Sequence, residues 1–202
     1  MTTTPTEVAT PETESEETPR RADAVRNRER VIKAAEEVFG EQGIEAGIPE
    51  IAERAGVGKG TVYRNFETKE DLVAAVLASR LSRFNDMTVA AIDQDDAWQA
   101  FRDLLLNAIQ GKMQSRNYLI GLNHQGKSEL LEYERKRSKV LLGQLMERAV
   151  AQGKMRPDAE AGDVSVLFGG ICRVLNEQGE EDPKVWLRQA DLVIDAFRVP
   201  AA

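Results

Sequence analysis

One short stretch, residues 48–66, restricts the fold more than any other part of this 202-residue chain. It carries Ala52, Gly56 and Val62 at offsets of zero, four and ten, between two short amphipathic segments. A small residue lets two helices cross closely, a glycine accepts the positive φ of a tight turn, and an apolar residue packs the second helix on the first. The pattern predicts a helix-turn-helix with Gly56 in the turn.

The rest of the chain also predicts helices. Apolar residues recur at helical spacing, long strand-like alternation is absent, and aromatic residues make up only 5% of the chain. We therefore expect an all-α fold, with Asn27 as the N-cap of the first helix. The expected helices cover about 27–39, 48–55, 59–66, 69–84, 96–110, 115–122, 128–152, 159–178 and 183–198.

Composition divides the chain into three parts. Residues 1–19 hold five glutamates, no Lys or Arg and few large apolar groups, which predicts a disordered acidic tail, most simply a solubilising one. Residues 20–70 hold ten basic and ten acidic residues and would form the helix-turn-helix domain. Residues 71–202 hold 17 basic and 19 acidic residues and would form a helical regulatory and dimerisation domain. The net charge of −7 therefore does not exclude DNA, although it disfavours an anionic ligand in the C-terminal part.

Several functional classes are disfavoured. Cys172 is the only cysteine, no apolar run is long enough to span a membrane, and the N-terminus has no basic-then-apolar signal. We expect a soluble, cytoplasmic protein. No nucleophile motif is present, and His124 has no second His or Cys nearby, so we expect neither an enzyme nor a metal site nor a cofactor.

The stretch IAERAGVGKGTVYRNF at 51–66, followed by Lys69 and Leu72, resembles the signature of the TetR family of transcriptional regulators. The resemblance covers about residues 27–76. It implies an N-terminal three-helix DNA-binding domain and a C-terminal helical domain for ligand binding and dimerisation. The implied function is a repressor that a small-molecule effector releases from a palindromic operator. The C-terminal part is similar in helical layout and in the break at 153–158, and it bears a weaker resemblance to the SbtR-like subgroup.

The residues expected to contact DNA follow from this resemblance and from chemistry. The second helix of a helix-turn-helix enters the major groove with its N-terminal residues nearest the bases. Lys59 would donate to guanine, Thr61 would contact a thymine methyl or a phosphate, and Tyr63 matches the family's phosphate-contacting tyrosine. Many family members carry Ser or Thr where this chain has Gly47 and Gly58, so side-chain phosphate contacts there are in doubt. The predicted DNA-binding set is Arg26, Lys59, Gly60, Thr61, Tyr63, Arg64, Asn65 and Lys69.

Plain alternatives exist for several of these residues. Tyr63 and Phe66 could be core residues, and for Phe66 we favour that interpretation. The charged side chains of the second helix could form only a solvated face. Arg26, with Arg20 and Arg21, could form an arm that reaches the minor groove, or could merely offset the nearby glutamates.

The C-terminal half supplies candidates for a ligand site and a dimer interface. The residues that would line a mostly apolar ligand cavity are Trp98, Phe101, Leu105, Met113, Tyr118 and His124, with ordinary core packing as the alternative. The resemblance implies that the last two helices pair with their symmetry mates, whereas the alternative is that they only close the monomer core. The residues expected at that interface are Val166, Gly169, Gly170, Val174, Trp186, Val193, Ile194 and Phe197.

Two other functions remain compatible with the sequence. A protein of the same fold could bind DNA without any ligand, as an activator or in chromosome organisation. A helical protein–protein adaptor could have lost operator binding altogether. Only the first of these two would still depend on Lys59 and Tyr63 for binding to DNA.

Overall fold

The computed structural model describes residues 17–113 and 128–199, which form α-helices and no strand. The expected all-α fold is confirmed. The helices are α1 (Glu17–Gln42), α2 (Ile48–Ala55), α3 (Lys59–Asn65), α4 (Lys69–Ile92), α5 (Ala97–Met113), α6 (Glu129–Ala151), α7 (Ala161–Glu177) and α8 (Pro183–Asp195). None of these helices is both long enough and apolar enough to cross a membrane. The helix expected at 115–122 lies outside the described residues.

Two helices, α1 and α4, are longer than the sequence predicted by at least two turns. Helix α1 begins at Glu17 rather than Asn27. The segment before Asn27 contains no helix breaker after its first turn, and Asp23 accepts a hydrogen bond from Arg26 one turn later. The predicted arm is therefore wrong for residues 17–26, which are helical. The last three residues of the predicted tail also lie in α1, and residues 1–16 fall outside the described part.

Helix α4 runs to Ile92, beyond the predicted end near Phe84. Two buried polar residues follow Phe84, and polar residues at such positions suggest a break when only the sequence is considered. In the structure Thr88 donates through Oγ1 to the carbonyl oxygen of Phe84 at 2.8 Å, and Asn85 is fully buried against α6. Both side chains find hydrogen-bond partners without interrupting the helix.

The apolar side chains form two main clusters. The N-terminal core packs α1, α2, α3 and the first half of α4, with Val31, Ile51, Val62 and Leu72 fully buried. Helices α2 and α3 are too short to be stable by helix propensity alone, so tertiary packing holds them in place. The predicted domain boundary at residue 70 stays a prediction, because α4 contributes side chains to both clusters.

The C-terminal core packs the end of α4 with α5, α6, α7 and α8 around aromatic rings. The Phe101 ring lies edge-on to the Phe197 ring at 5.7 Å and tilted to the Trp98 ring at 6.0 Å, measured between ring centres. Trp186 and Ile194 are buried in the same cluster. The prediction that Trp186, Ile194 and Phe197 belong to the dimer interface is therefore wrong, because the monomer core already covers them.

Polar contacts join α4 to the helices on either side of it. Glu36 of α1 accepts hydrogen bonds from Arg80 at 2.9 Å and from Arg83 at 2.6 Å. Asn85 donates to the Glu134 carboxylate of α6 at 2.8 Å, while the Asn85 side-chain oxygen is buried without a hydrogen-bond partner. These contacts form a polar joint between the two cores.

Candidate nucleic-acid interface

The turn between α2 and α3 has the backbone that the sequence predicted. Gly56 adopts φ 64° and ψ 40°, and the N–H of Val57 donates to the carbonyl oxygen of Ala52 at 3.0 Å. A Cβ at Gly56 would carry the strain of a left-handed residue and would lie 3.0 Å from Nη2 of Arg30. The expectation for Gly56 is confirmed.

Arg30 holds the same turn from α1, a role that the sequence analysis missed. Its Nη2 donates to the carbonyl oxygen of Ala55 at 2.7 Å and to that of Gly56 at 3.4 Å. These carbonyls lie at the C-terminal end of α2, where helical partners run out. The contact joins residues 25 and 26 positions apart, so no local signal reveals it.

Arg54 fixes the other side of α2 against α1. It donates to both carboxylate oxygens of Glu41, at 3.0 and 2.8 Å, and to Glu37 at 3.5 Å. The hydrogen bond from Arg54 holds the pKa of the Glu41 carboxyl below its usual value. Because this arginine is engaged by two carboxylates, it is less available to DNA than an unpaired cation would be.

The structure separates the two faces of α3. Val62 is fully buried against α2, whereas Tyr63 keeps 53% of its surface exposed. Lys59 and Arg64 are exposed as well. The core alternative for Tyr63 is therefore wrong, while the core assignment of Phe66 is confirmed by its 3% exposure. The exposed face begins at the N-terminus of the helix, which is the end that would meet base edges.

Some polar groups on this face already have partners within α3. Arg64 donates through Nε to the carbonyl oxygen of Gly60 at 3.2 Å and through Nη2 to Oγ1 of Thr61 at 2.9 Å. Asn65 donates to the carbonyl oxygen of Thr61 at 2.7 Å. Lys59 makes no hydrogen bond or ion pair with a described residue, so its ammonium is available to a new acceptor.

Lys69 opens α4 beside α3, next to a capped helix end. Thr68 accepts at Oγ1 from the N–H of Asp71 at 3.1 Å, and Asp71 accepts from the N–H of Thr68 at 3.0 Å. This capping box occupies two of the backbone groups that a phosphate would otherwise use. The remaining donors at this end are the Lys69 ammonium and the N–H groups of the first turn.

Arg26, the remaining side chain of the predicted set, lies at the margin of this surface, as do Gly47 and Gly58, the two positions where side-chain phosphate contacts are in doubt. Arg26 is exposed on α1, three residues after its partner Asp23. Gly47 and Gly58 are the N-caps of α2 and α3, each in extended conformation and with no side-chain hydrogen bond. A Cβ at Gly58 would meet no atom within 4 Å, so the protein itself leaves space for a side chain at this position.

The described structure brings together three of the six predicted ligand residues. Trp98, Phe101 and Leu105 lie packed in the C-terminal core. Met113 is the last residue of α5, and Tyr118 and His124 lie outside the described residues. A cavity of about 350 Å³ opens elsewhere, between α4, α6 and α7. The six ligand-site assignments therefore stay predictions.

The outer face of α7 and α8 carries exposed apolar residues. Val166 is 72% exposed, Val174 49% and Leu192 55%. On α7, Gly170 lies midway between the two valines, and a Cβ there would meet no atom within 4 Å. Within the parts of the chain that the structure describes, no group of three His, Cys, Asp or Glu residues is placed to hold a metal ion.

The amino-acid sequence of this chain is similar to those of known regulatory proteins. Residues 31–76 match the family described as "Bacterial regulatory proteins, tetR family". The HTH-type transcriptional regulator SrpR of Pseudomonas putida is 31% identical over 165 residues, which is 78% of this chain and 77% of the relative. The uncharacterized HTH-type transcriptional regulator TtgW, also of Pseudomonas putida, is 36% identical over 109 residues, or 54% of this chain and 81% of the relative.

Solved structures extend the likeness over almost the whole fold. The TetR transcriptional regulator SCO0520 from Streptomyces coelicolor has 28% identity and a TM-score of 0.60, covering 86% of this chain and 99% of that one. A TetR transcription regulatory protein from Mycobacterium vanbaalenii has 28% identity and a TM-score of 0.60, covering 90% of this chain and 100% of that one. The similarity thus reaches well past the helix-turn-helix into the C-terminal helices.

Proposed function

The chain belongs to the TetR family of helix-turn-helix transcriptional regulators, and we propose that it is a homodimeric repressor released from a palindromic operator by a small-molecule effector. The family consists of DNA-binding regulators rather than enzymes. Binding to a bacterial chromosome would make the cytoplasm the place of action. The likeness of the C-terminal half to the SbtR-like subgroup stays a prediction.

The observation that carries the proposal is the two-sided character of α3. On its apolar side Val62 is fully buried in the N-terminal core. On its exposed side Lys59 and Tyr63 face solvent, and Lys69 follows at the N-terminus of α4. A lysine without a competing carboxylate suits guanine or phosphate, and an exposed tyrosine hydroxyl suits phosphate. The other α3 members of the predicted set, Gly60, Thr61, Arg64 and Asn65, would add contacts along the same edge, while Arg26 would reach DNA only from helix α1.

The exposed apolar face of α7 and α8 supports the homodimer. Val166, Gly170 and Val174 follow one another at four-residue spacing, so they form one stripe along α7. Leu192 adds exposed apolar area on α8. A stripe with a glycine at its centre allows two helices to approach closely, and pairing with a second copy would cover it in a four-helix arrangement.

Proteins of the same fold support a small-molecule effector without specifying its chemistry. RolR, at 18% identity and a TM-score of 0.59, is described in complex with resorcinol. The transcriptional regulator FadR from Bacillus subtilis, at 21% identity and a TM-score of 0.61, is described in complex with stearoyl-CoA. Because these two ligands differ so widely, the fold alone does not identify the effector.

Selection of binding sites from random duplex DNA with the purified full chain tests the operator proposal. We expect enrichment of one two-fold symmetric site, bound with an affinity that falls steeply as the salt concentration rises. Tyr63→Phe and Lys59→Ala should each weaken that binding by about tenfold, since one contact to DNA contributes on the order of 1–3 kcal/mol. Lys136→Ala, on the solvent side of α6, is the matched control and should leave the affinity unchanged.

The outcomes distinguish the rival functions. If the folded, ligand-free protein enriches no site, the repressor proposal fails and the adaptor function takes its place. If the protein binds one site tightly but no small molecule alters that binding, a DNA-binding protein without an effector is the better description. Equal affinities for wild type and both α3 variants would exclude α3 as the reading helix.

A further inference from the structure

The cavity between α4, α6 and α7 combines an apolar base with cationic side chains. It measures about 350 Å³, within the range of small-molecule sites. Its apolar lining comes from four leucines, Leu77, Leu81, Leu131 and Leu142. We propose that this groove binds an amphipathic anion, an acid with an apolar chain, and that this anion is the effector; the second clause rests on the proposed repressor function.

Three cations on two helices define the chemistry of the head group. Arg80 comes from α4, and Arg135 and Lys139 come from successive turns of α6. Arg135 is paired with Glu132 at 2.6 Å, whereas Lys139 makes no ion pair with a described residue. Lys139 is therefore the cation most available to form an ion pair with a bound anion, and Arg135 lies one turn away on the same helix.

The other residues that line the groove, apart from the leucines, are small and carry no charge. Ser138 of α6 and Ser165 of α7 bring hydroxyl groups to it. At the start of α7 Asp163 accepts from the N–H of Glu160 at 2.8 Å, and neither carboxylate belongs to the lining. The charges available to a bound acid are thus side chains of α4 and α6.

The charge of the ligand is determined by the side chains at the groove rather than by the net charge of the whole C-terminal part. The acidic balance of residues 71–202 disfavours an anionic ligand when charge is counted over the sequence. At the groove, however, all three charged lining residues are cations, and since Arg80 is paired with Glu36 and Arg135 with Glu132, the Lys139 ammonium is the charge without a carboxylate partner among the described residues. Coulomb interactions weaken with distance and with screening by salt, so this cation at the groove outweighs the acidic residues that lie far from it.

Arg80 connects the groove to the N-terminal core. Its side chain is only 11% exposed, and it contacts Glu36 of α1 at 2.9 Å while also lining the cavity. An anion that attracts the Arg80 guanidinium would compete with Glu36 for it. The ligand and the operator would then favour different positions of α1 relative to α4. Coupling between two sites requires such a difference, because each partner must bind one of the two states more tightly.

Calorimetric titration of the full chain without DNA tests the groove itself. The probes are decanoate, 1-decanol and acetate, which separate the charge from the chain. We expect decanoate to bind, 1-decanol to bind about tenfold more weakly, and acetate not to bind, because both the leucines and the cations contribute. Equal affinity for decanoate and 1-decanol, or no binding of decanoate, would overturn the proposal.

Two matched substitutions on α6 locate the site. Lys139→Gln removes the cation of the groove, and Lys136→Gln removes a lysine of the same helix that does not line it. We expect the first to weaken decanoate binding by about tenfold, the size of one charge-assisted contact, and the second to leave it unchanged. Neither lysine is buried, so both variants should fold. An equal effect of the two would overturn the location.

Operator binding with and without decanoate tests the link through Arg80. We expect decanoate to weaken operator binding by wild type, whereas Arg80→Gln, which binds decanoate more weakly, should not respond in its DNA affinity even when decanoate saturates it. Arg83→Gln, which loses its own bond to Glu36 but does not line the groove, should keep the response.

The two measurements fail independently. Absence of any operator would overturn the repressor function, and calorimetry would still decide whether the groove binds the acid. Selective decanoate binding that leaves operator affinity unchanged would overturn the effector assignment.

Discussion

The two cores of this molecule are built in different ways. The N-terminal core is built mostly from alanines, valines and isoleucines, with Phe39 and Phe66, on helices α1 to α4 that follow one another along the chain. The C-terminal core uses large aromatic side chains that meet from distant positions, such as Phe101 and Phe197. The N-terminal core therefore depends on backbone geometry at one turn, whereas the C-terminal core depends on the volume of a few rings.

This contrast explains where each part of the protein is sensitive to change. Removing a ring from the C-terminal core leaves a cavity that its neighbours cannot fill, and the cost is one of stability. A change at the turn of the N-terminal core shifts the position of α3, so that its cost extends to DNA binding. The polar joint formed by Glu36, Arg80, Arg83, Asn85 and Glu134 separates the two.

The largest effect is expected from Phe101→Ala. Phe101 is fully buried, and its loss should lower the free energy of unfolding by about 3–5 kcal/mol. Both tryptophans, Trp98 and Trp186, lie in the C-terminal core, so their fluorescence during chemical denaturation reports on that core. We expect the midpoint of the fluorescence transition to fall at a fixed protein concentration.

Ile51→Ala is the matched change in the N-terminal core, where Ile51 is fully buried. Because Ile51 belongs to the N-terminal core and lies outside the C-terminal one, we expect this variant to leave the tryptophan transition nearly unchanged, while the circular-dichroism signal of helix is lost at a lower denaturant concentration than in the wild type. If both variants shift the tryptophan midpoint equally, the cores unfold as one unit and the comparison fails.

A smaller effect is expected at the joint, from Asn85→Leu. The substitution removes the donor to the buried Glu134 carboxylate, and an under-paired buried charge should cost about 2–3 kcal/mol. Asn85→Leu combined with Glu134→Met should recover most of that loss, because an apolar pair needs no partner. Thermal unfolding of the wild type, the single variants and the double variant measures the difference, and additive losses would contradict the interaction.

Two glycines only four residues apart should separate stability from DNA binding. Gly56→Ala should cost about 1–2 kcal/mol, because its φ of 64° is strained for alanine. Gly60→Ala meets no atom within 4 Å and should keep or slightly raise stability, yet weaken operator binding if DNA approaches the backbone there. Denaturation and operator titration of both variants provide the comparison. Unchanged DNA affinity in Gly60→Ala would remove Gly60 from the interface.

The smallest effect concerns pH and the ion pair between Glu41 and Arg54. The pKa of Glu41 is lowered in the folded state, chiefly by the Arg54 hydrogen bond, so its contribution is present above the unfolded pKa and is lost as the pH falls through the folded one. Glu41→Gln should therefore lower stability slightly at neutral pH and not at strongly acidic pH. Denaturation followed by circular dichroism at both pH values checks this, and a pH-independent difference would contradict it.

The sequence predicted the helix-turn-helix almost residue by residue because its determinants are local. Gly56 sets the turn, Val62 fixes the face of α3, and the ends of α2 and α3 follow from them. The exposed position of Tyr63 is a consequence of the same periodicity. What the pattern could not give is the Arg30 contact, because that depends on how α1 lies against the turn.

The C-terminal half was predictable only as a series of helices. Trp186, Ile194 and Phe197 are apolar, and apolar character alone does not tell a core face from an interface face. The groove was missed for a related reason. Arg80 and Lys139 are ordinary charged residues on different helices, far apart in the sequence, and only the packing of α4 on α6 brings them to one cavity.

Helix α4 has the geometry of a lever arm. It is one continuous helix, its first turn lies beside α3, and Asn85 in its second half is hydrogen-bonded to Glu134 of α6. At about 1.5 Å per residue the arm from Asn85 to Lys69 is about 24 Å long, so a swing of about 10° would carry its tip through an arc of about 4 Å. Two such tips in a dimer must match half-sites about 34 Å apart, and a small angular change is therefore enough to put them out of register.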